Sequence, residues 1–276
     1  MRHEVFLKHR LHTLRTLHDA VSAMRSLSAH HFRIIRQGLQ SARTYREEIE
    51  RIVAEIGIHQ PPSATAPTGL LVVGSDLGLC GDYNSQLARR TIAECQRREF
   101  GPVYSVGRRL RPALAHAGVE LQRNYDAPAS LDGLARLLLQ LAQDLMEDYS
   151  SGKIGGLDVA AARFDGVGHF TPMFTRLLPI NPVQAIVPLL GSPYVSTGHL
   201  RSVAVREYVY ISLHEVLMDA LTAEHGMRLT AAEAALQWIE ETTAQAAQKL
   251  SASRSETATQ ELLDLVSGAK QRRRTQ

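Results

Sequence analysis

Apolar residues recur with heptad spacing along the first 56 residues, and no proline interrupts the chain between Glu4 and Ile56. About seven heptads with a mostly apolar seam are typical of a helix that is paired along its length. We therefore predict one helix over residues 3–56. One heptad column holds Leu7, Leu14, Val21, Ser28, Ile35, Ala42, Ile49 and Ile56. A second column, three residues further on, is predicted to face the partner as well and holds Arg10, Leu17, Met24, His31, Gly38, Tyr45 and Ile52.

A second proline-free stretch runs from Val195 to Gln276, and we predict a helix that starts between Gly198 and Arg206. Residues 2–46 contain nine Lys or Arg and two Asp or Glu, whereas residues 205–269 contain four and ten. Opposite charge and matched apolar period predict that the two helices pair antiparallel within one chain. The basic tail Lys270–Gln276 is expected to be disordered beyond the coil. The apolar column of this helix is rich in alanine and holds Leu213, Leu217, Ala220, Met227, Ala231, Ala235, Ile239, Ala246 and Leu250.

Between the two helices, short apolar runs alternate with helical patterns, which predicts a parallel or mixed sheet. The predicted fold class is α/β with long helices: the terminal helices form an antiparallel two-helix coiled coil, and an α/β domain is inserted between them. The predicted strands are 69–75, 103–106, 119–123, 157–164 and 170–178, and the predicted helices between them are 82–98, 108–117 and 130–149. The predicted domains are the N-terminal helix 1–57, a linker 58–68, the α/β domain 69–198, and the C-terminal helix with its basic tail 199–276.

Composition and motifs argue against an enzyme. Gly74, Gly78 and Gly81 lie where nucleotide-binding loops lie, but no dinucleotide fingerprint and no P-loop is present. Two cysteines and twelve histidines show no zinc-ligand spacing, and no nucleophile elbow occurs. We predict no catalytic residue, no cofactor-binding residue and no metal site. A basic first helix suggests nucleic acid, yet the acidic last helix would neutralise it. An α/β enzyme with helical dimerisation arms and a coiled-coil scaffold stay open as alternatives.

Segments along the whole chain resemble one family. The run Leu71–Asn84, LVVGSDLGLCGDYN, is similar to the turn that ends the first strand of the gamma subunit of rotary F-type ATP synthases. Ser22–Arg25 resembles a region of that family's first helix, and Leu217–Arg228 resembles the start of its last helix. The family's C-terminal motif is matched, at the family's spacing, by Arg254, Thr259–Leu262 and Val266–Ala269.

The resemblance implies a non-catalytic rotor shaft, which turns inside a ring of alternating alpha and beta subunits. It further implies an epsilon subunit and a membrane rotor ring of c subunits as partners, no nucleic acid and no cofactor. The expected location is the cytoplasmic face of the bacterial plasma membrane, as a peripheral protein; the N-terminus has no apolar stretch of a secretory signal. Matching motifs and expected exposure give the candidate subunit contacts Met24, Arg25, Arg36, Arg254, Gln260 and Glu261. The candidate foot on the rotor ring consists of Tyr208, Tyr210 and His214.

Departures from the family pattern indicate a divergent branch. Leu229–Trp238 stands where the family has a Met-rich and Asn-rich stretch, and Leu250 and Ser251 stand where a Tyr-Asn pair is common. The tail also adds Arg272–Arg274. Such departures suit the gamma subunit of an accessory, sodium-translocating rotary ATPase. Protons and sodium both stay open, because the ion is selected in the membrane ring.

Overall fold

A computed structural model of the chain describes residues 2–58, 66–180 and 196–274, without the side chains of residues 2, 3, 197, 261 and 264–274. The predicted loop 179–193 and linker 58–68 lie largely outside the described residues. The described elements are α1 (Arg2–Glu55), β1 (Thr68–Val73), α2 (Tyr83–Arg97), β2 (Val103–Val106), α3 (Arg111–His116), β3 (Leu121–Tyr125), α4 (Leu131–Ser150), β4 (Gly156–Gly166), β5 (His169–Leu178) and α5 (Thr197–Arg274).

These elements confirm the predicted fold class. The strands form a five-stranded sheet in the order β3-β2-β1-β4-β5, in which β5 alone runs antiparallel to its neighbour. The central strand β1 is buried on both faces, as its continuous run of apolar residues predicts. The parallel strands therefore require helical crossovers, which α2, α3 and α4 supply. The predicted domain limits stay predictions.

Glycines fix the close packing where β1 and β2 end. A Cβ atom on Gly74 would lie 2.2 Å from Leu110 Cδ1, and one on Gly107 would lie 2.7 Å from the carbonyl carbon of Gly74. Gly107 also has a φ of +92°, which side-chain-bearing residues rarely adopt. These two glycines let the two strand ends approach and set the position of the turn that follows β1.

The chain divides into two compact units, and α1 and α5 contribute to both. The first unit comprises residues 1–26 and 232–276. Within it, Leu7 and Leu11 pack with Ala246 and Leu250. A neighbouring cluster joins Leu14, Val21, Ala232, Leu236 and Ile239. Earlier residues of α1 thus meet later residues of α5, so the two helices are antiparallel.

The second unit comprises residues 27–231 and shows the same antiparallel contact. Arg43 Nη2 donates to both carboxylate oxygens of Asp219, at 2.9 and 3.0 Å. A Cβ atom on Gly38 would lie 3.0 Å from Met218 Cε. The partner helix therefore approaches closely at Gly38, which gives a packing reason for an otherwise unfavourable glycine inside a helix. The core of this unit joins α1, α4, α5 and the sheet face between them.

The structure confirms the first heptad column of α1 and corrects the second. Every residue of the first column is buried. In the second column, Leu17, Tyr45 and Ile52 are 45%, 47% and 39% exposed. The column four residues after the first is the one that faces α5, and its buried apolar members are Leu11, Phe32, Leu39 and Val53.

Polar residues interrupt the column that faces α5, so its apolar repeat is not evident in the sequence. They are His18, Arg25 and Arg46. Each lies within 4 Å of a carboxylate on α5, and these acidic partners are Glu240, Glu233 and Glu215. Long basic side chains can lie along an apolar seam while their charged ends reach a partner at its rim.

The basic tail was also predicted wrongly in part. Helix α5 continues through Arg274, so the residues from Lys270 to Arg274 are helical. A run of like charges does not end a helix unless a glycine, a proline or a capping residue intervenes, and none follows Gly268.

The corrected seam can be tested with two leucines of α1. We expect Leu39→Ala to lower the free energy of unfolding by about 2–5 kcal/mol, because the side chain is buried between helices. Leu17→Ala, in the column first predicted, should change it by no more than about 0.5 kcal/mol, because that side chain is exposed. Urea unfolding followed by circular dichroism measures both. A larger loss at Leu17 than at Leu39 would restore the original column.

Candidate functional site

The predicted subunit contacts of the first unit lie at two separate levels of its helix pair. Arg25 is exposed, with Nη1 3.8 Å from Glu233 Oε1, and the neighbouring Met24 is half-buried. Arg254 is exposed and its Nε donates to Glu4 Oε1 at 3.0 Å. Because residues 4 and 25 belong to one α-helix, the two levels are separated by about 30 Å. Gln260 is exposed on α5, and the side chain of Glu261 lies outside the described residues.

The remaining candidates belong to the second unit. Arg36 is exposed, and its guanidinium carbon lies 6.0 Å from the centre of the Phe32 ring. The three residues of the proposed foot, Tyr208, Tyr210 and His214, are all half-buried. Burial raises the pKa of the Tyr208 phenol and lowers the pKa of the His214 imidazole. These side chains therefore keep only part of their surface for a partner.

Two cavities adjoin the proposed foot. Tyr210 lines one of about 1320 Å³, between α4, the start of α5 and the region after α1. Tyr208 lines another of about 260 Å³, together with Ser212, Arg46 and the outer strands. Both cavities have a lining that mixes apolar and polar side chains.

The turn between β1 and α2 is held by its own side chains. Asn84 Nδ2 donates to Ser75 Oγ at 2.8 Å, and Asn84 Oδ1 accepts from the Ser75 amide at 3.1 Å. Ser75 Oγ in turn donates to the Leu77 carbonyl at 3.1 Å. The turn presents the side chains of Leu77 and Leu79, which are 41% and 43% exposed. Leu79 has a φ of +55°, a strained conformation for a leucine.

A buried arginine of α5 contacts this turn. Arg228 is 1% exposed. Its Nε donates to the Gly78 carbonyl at 3.1 Å, and its Nη2 donates to the Leu77 carbonyl at 3.4 Å and to Glu224 Oε1. A guanidinium only donates, so His225 Nδ1, 3.3 Å from Arg228 Nη1, must accept. The imidazole is therefore neutral and carries its proton on Nε2.

The turn after β1 presents hydrogen-bond acceptors where nucleotide-binding proteins present donors. In open α/β sheets, ligands bind outside the carboxyl ends of the strands, where backbone N–H groups meet a phosphate. Here the turn after β1 offers carbonyl oxygens instead, and they accept from a side chain of the same protein. Gly74 is explained by its close approach to Leu110, and Gly81 by its φ of +58°.

Burial controls the protonation of this cluster. Burial raises the pKa of Glu224 to about 7, and this effect outweighs the nearby Arg228. Burial lowers the pKa of His225 to about 3, and the charge of Arg228 lowers it further, as does His31. The rings of His31 and His225 are stacked, with centres 5.4 Å apart. The pKa of His31 is lowered as well, by burial and by His30.

The sequence contains one signal for this cluster. Glu224, His225 and Arg228 interrupt an apolar, alanine-rich stretch of α5. Charged residues in such a stretch are buried only when they find partners. The partners here, Leu77 and Gly78, lie about 150 positions earlier, so the contact could not be located from periodicity.

Searches for two other kinds of site gave negative results. Among the described residues, no three side chains of the His, Cys, Asp and Glu types are arranged to hold a metal ion. In the same part of the chain, no helix combines the length and the apolar character that a membrane span requires.

Comparison with known proteins gives a consistent result. The family model described as ATP synthase matches residues 6–271. An ATP synthase gamma chain of Moorella thermoacetica is 26% identical over 98% of this chain and 99% of its own length. An ATP synthase gamma chain of an Anaeromyxobacter species is 24% identical over 95% of this chain and 97% of its own length.

Solved structures share the fold. A chain in the Euglena gracilis mitochondrial ATP synthase (OSCP/F1/c-ring) superposes with a TM-score of 0.68 and 14% identity, covering 97% of this chain and 93% of that one. A chain in the central stalk and c-ring of the Tetrahymena thermophila mitochondrial ATP synthase superposes with a TM-score of 0.58 and 16% identity. The superposition covers 78% of this chain and 99% of that one.

The neutral state of His225 predicts how the free energy of unfolding depends on pH. Its pKa falls from 6.5 in the unfolded chain to about 3 in the fold, so its stabilising contribution is complete above pH 6.5 and declines as the pH falls below it. His225→Gln removes that decline. Between pH 7 and pH 5 we expect the variant to gain about 1–2 kcal/mol relative to the natural chain. Urea unfolding at each pH measures it.

Two controls accompany this experiment. The exposed His9→Gln should follow the natural chain at every pH. Glu224→Gln should show the opposite trend, because a carboxyl whose pKa is raised to about 7 stabilises the fold at low pH and loses that contribution between pH 4.5 and 7. Parallel curves for His225→Gln and the natural chain would show that the imidazole is not held neutral.

Proposed function

This chain belongs to the ATP synthase gamma-chain family, whose model matches residues 6–271, and we propose that it is the central rotor shaft of a membrane-associated rotary ATP synthase. It couples ion flow through a membrane ring to nucleotide chemistry in a ring of alpha and beta subunits. The observation that carries the proposal is the antiparallel packing of α1 against α5 in each compact unit, within a family match over nearly the whole chain.

The chain takes part as a non-catalytic subunit. Its surface must differ around the axis of rotation, so that each orientation favours a different state of the surrounding catalytic sites. Two features suit it to that role. Paired helices are stiff, and their outer surface is asymmetric because the exposed Leu17, Tyr45 and Ile52 lie beside the seam rather than in it.

The proposed partners are the alpha and beta subunits, the epsilon subunit and the ring of c subunits. The two structural neighbours belong to assemblies that include a c-ring, which supports the last of these. We place the protein on the cytoplasmic face of the bacterial plasma membrane, as a peripheral subunit. Bacterial relatives support that location.

We assign contact with the catalytic ring to the six residues predicted for it, and contact with the rotor ring to the foot residues. Arg25 and Arg254 already bind carboxylates at the surface of the helix pair. Exposed ion pairs of this kind are weak, so either arginine can exchange its partner for one on another subunit at small cost. Arg36 offers its charge beside an aromatic ring.

The alternatives are less well supported. An enzyme with helical arms needs converging acid, base and ligand-binding groups, and the turn after β1 is occupied by Arg228. A scaffold that binds nucleic acid needs a basic surface, and part of that surface on α1 is neutralised because His18, Arg25, Arg43 and Arg46 each lie against an acidic side chain of α5.

We predict that the purified chain has no ATPase activity and that its mixture with cognate alpha and beta subunits does. The assembled complex should contain one copy of this chain. Size-exclusion chromatography with mass measurement gives the stoichiometry, and a coupled ATPase assay gives the rate. Hydrolysis by the chain alone, free of contaminating ATPase, would contradict a non-catalytic role.

Removing one contact charge should slow the complex without preventing its assembly. For Arg254→Gln we expect at least a threefold lower rate of ATP hydrolysis, because a contact that depends on orientation is lost. Arg136→Gln, at an exposed position of α4, is the matched control and should leave the rate unchanged. Equal rates for Arg254→Gln and the natural chain would remove Arg254 from the contact surface.

A further inference from the structure

The contacts of Arg228 have a mechanical consequence. All three guanidinium nitrogens are engaged, and their partners belong to two different parts of the fold. Glu224 and His225 lie on α5 itself. Leu77 and Gly78 belong to the turn after β1. The guanidinium, itself buried, therefore joins the long C-terminal helix to the sheet domain through partly buried hydrogen bonds.

The Leu77 carbonyl is the centre of this junction. It accepts from Arg228 Nη2 at 3.4 Å and from Ser75 Oγ at 3.1 Å, and Cys80 Sγ lies 3.8 Å away. Loss of the arginine would remove the Nε donor from the Gly78 carbonyl and one of the donors from the Leu77 carbonyl. The lost hydrogen bonds would no longer hold these carbonyls on α5, so the turn would open toward water.

The junction continues on the apolar side. Tyr83 is fully buried and its hydroxyl donates to the Ala220 carbonyl of α5 at 3.2 Å. Cys80 packs with Ala223 in the same cluster. The apolar contacts resist separation but allow sliding, and the Tyr83 hydrogen bond anchors the start of α2 rather than the turn itself. The planar guanidinium hydrogen-bonds two successive carbonyls of the turn, so Arg228 fixes the direction of the turn on α5.

We propose that Arg228 is a positioning residue that locks the turn Asp76–Gly81 to α5, so that torque carried by the helix passes into the sheet domain. The part about torque rests on the proposed function, whereas the lock itself does not. The strained conformation of Leu79 supports the lock, because a leucine keeps a positive φ only where its surroundings enforce it.

Cys80 reports on the lock directly. It is 4% exposed and lies inside the turn. The chain has two cysteines, so Cys95→Ser leaves Cys80 as the single thiol. We expect this background to react slowly with a disulfide reagent at pH 8, and the added change Arg228→Met to speed the reaction at least tenfold. Arg228→Lys should fall between them, since one ammonium cannot span both carbonyls as the guanidinium does.

Arg136→Met is the matched control, because it removes an exposed arginine of α4 and should leave the thiol protected. Rates measured in low urea separate local from global opening. A urea dependence much weaker than that of global unfolding supports the lock. The proposal is overturned by unchanged reactivity in Arg228→Met, or by a dependence equal to that of global unfolding. If Arg228→Met does not fold, Arg228→Lys decides in the same way.

The torque part is tested in membranes that carry the assembled complex. With equal subunit content, Arg228→Lys should retain ATP hydrolysis but lower the ratio of ion pumping to hydrolysis at least twofold. A proportional fall in both activities would overturn this part, because a general loss of folded complex has that effect. Failure of the natural chain to form any ATPase complex would refute the proposed function and leave the thiol result standing.

Discussion

The fold depends on the pairing of α1 with α5. Neither helix is apolar on all sides, and a helix of this kind is stable in water only when its apolar stripe is covered. The stripe of α1 is covered by α5 in each unit, and around Ile35 and Val53 it also joins the core of the sheet domain. The sheet domain depends on the same pair, because α1 and α5 cover one face of its sheet.

Charge determines how these helices align rather than how strongly they bind. Arg43 with Asp219 and Arg46 with Glu215 are partly buried pairs that would be broken by a shift of one turn. The small residue Gly38 opposite Met218 imposes the same alignment by shape. Because apolar seams tolerate several registers, such polar and steric features are what specify one of them.

Local features of this fold could be read from the sequence, and contacts between distant segments could not. Heptad spacing and strand alternation are properties of neighbouring residues, so the elements from α1 to α5 and the fold class were predicted correctly. The second column of α1 was misassigned, because apolar residues occur both three and four positions after the first column. Leu17 and Leu11 satisfy the pattern equally well, and only the position of α5 distinguishes them.

The candidate site shows the same limit more sharply. The glycine turn and the residues Glu224, His225 and Arg228 were each recognisable in the sequence as parts of family motifs. Their contact was not, because a guanidinium that bonds to backbone carbonyls leaves no trace in the residue types at those carbonyls. The candidate subunit contacts stay predictions, since the other subunits decide which exposed side chains are used.

Helix α5 of the first unit extends well beyond its contact with the start of α1. Arg254 meets Glu4 near the beginning of α1, which starts at Arg2, whereas α5 extends to Arg274. The stretch of α5 from that contact to Arg274 is about 30 Å long at the rise of an α-helix. Helical stability in proteins comes mostly from packing of an apolar face rather than from helix propensity. In this stretch, Leu262 and Leu263 are exposed and are not covered by α1. The helical order of this stretch therefore depends on the surface that surrounds it in a complex.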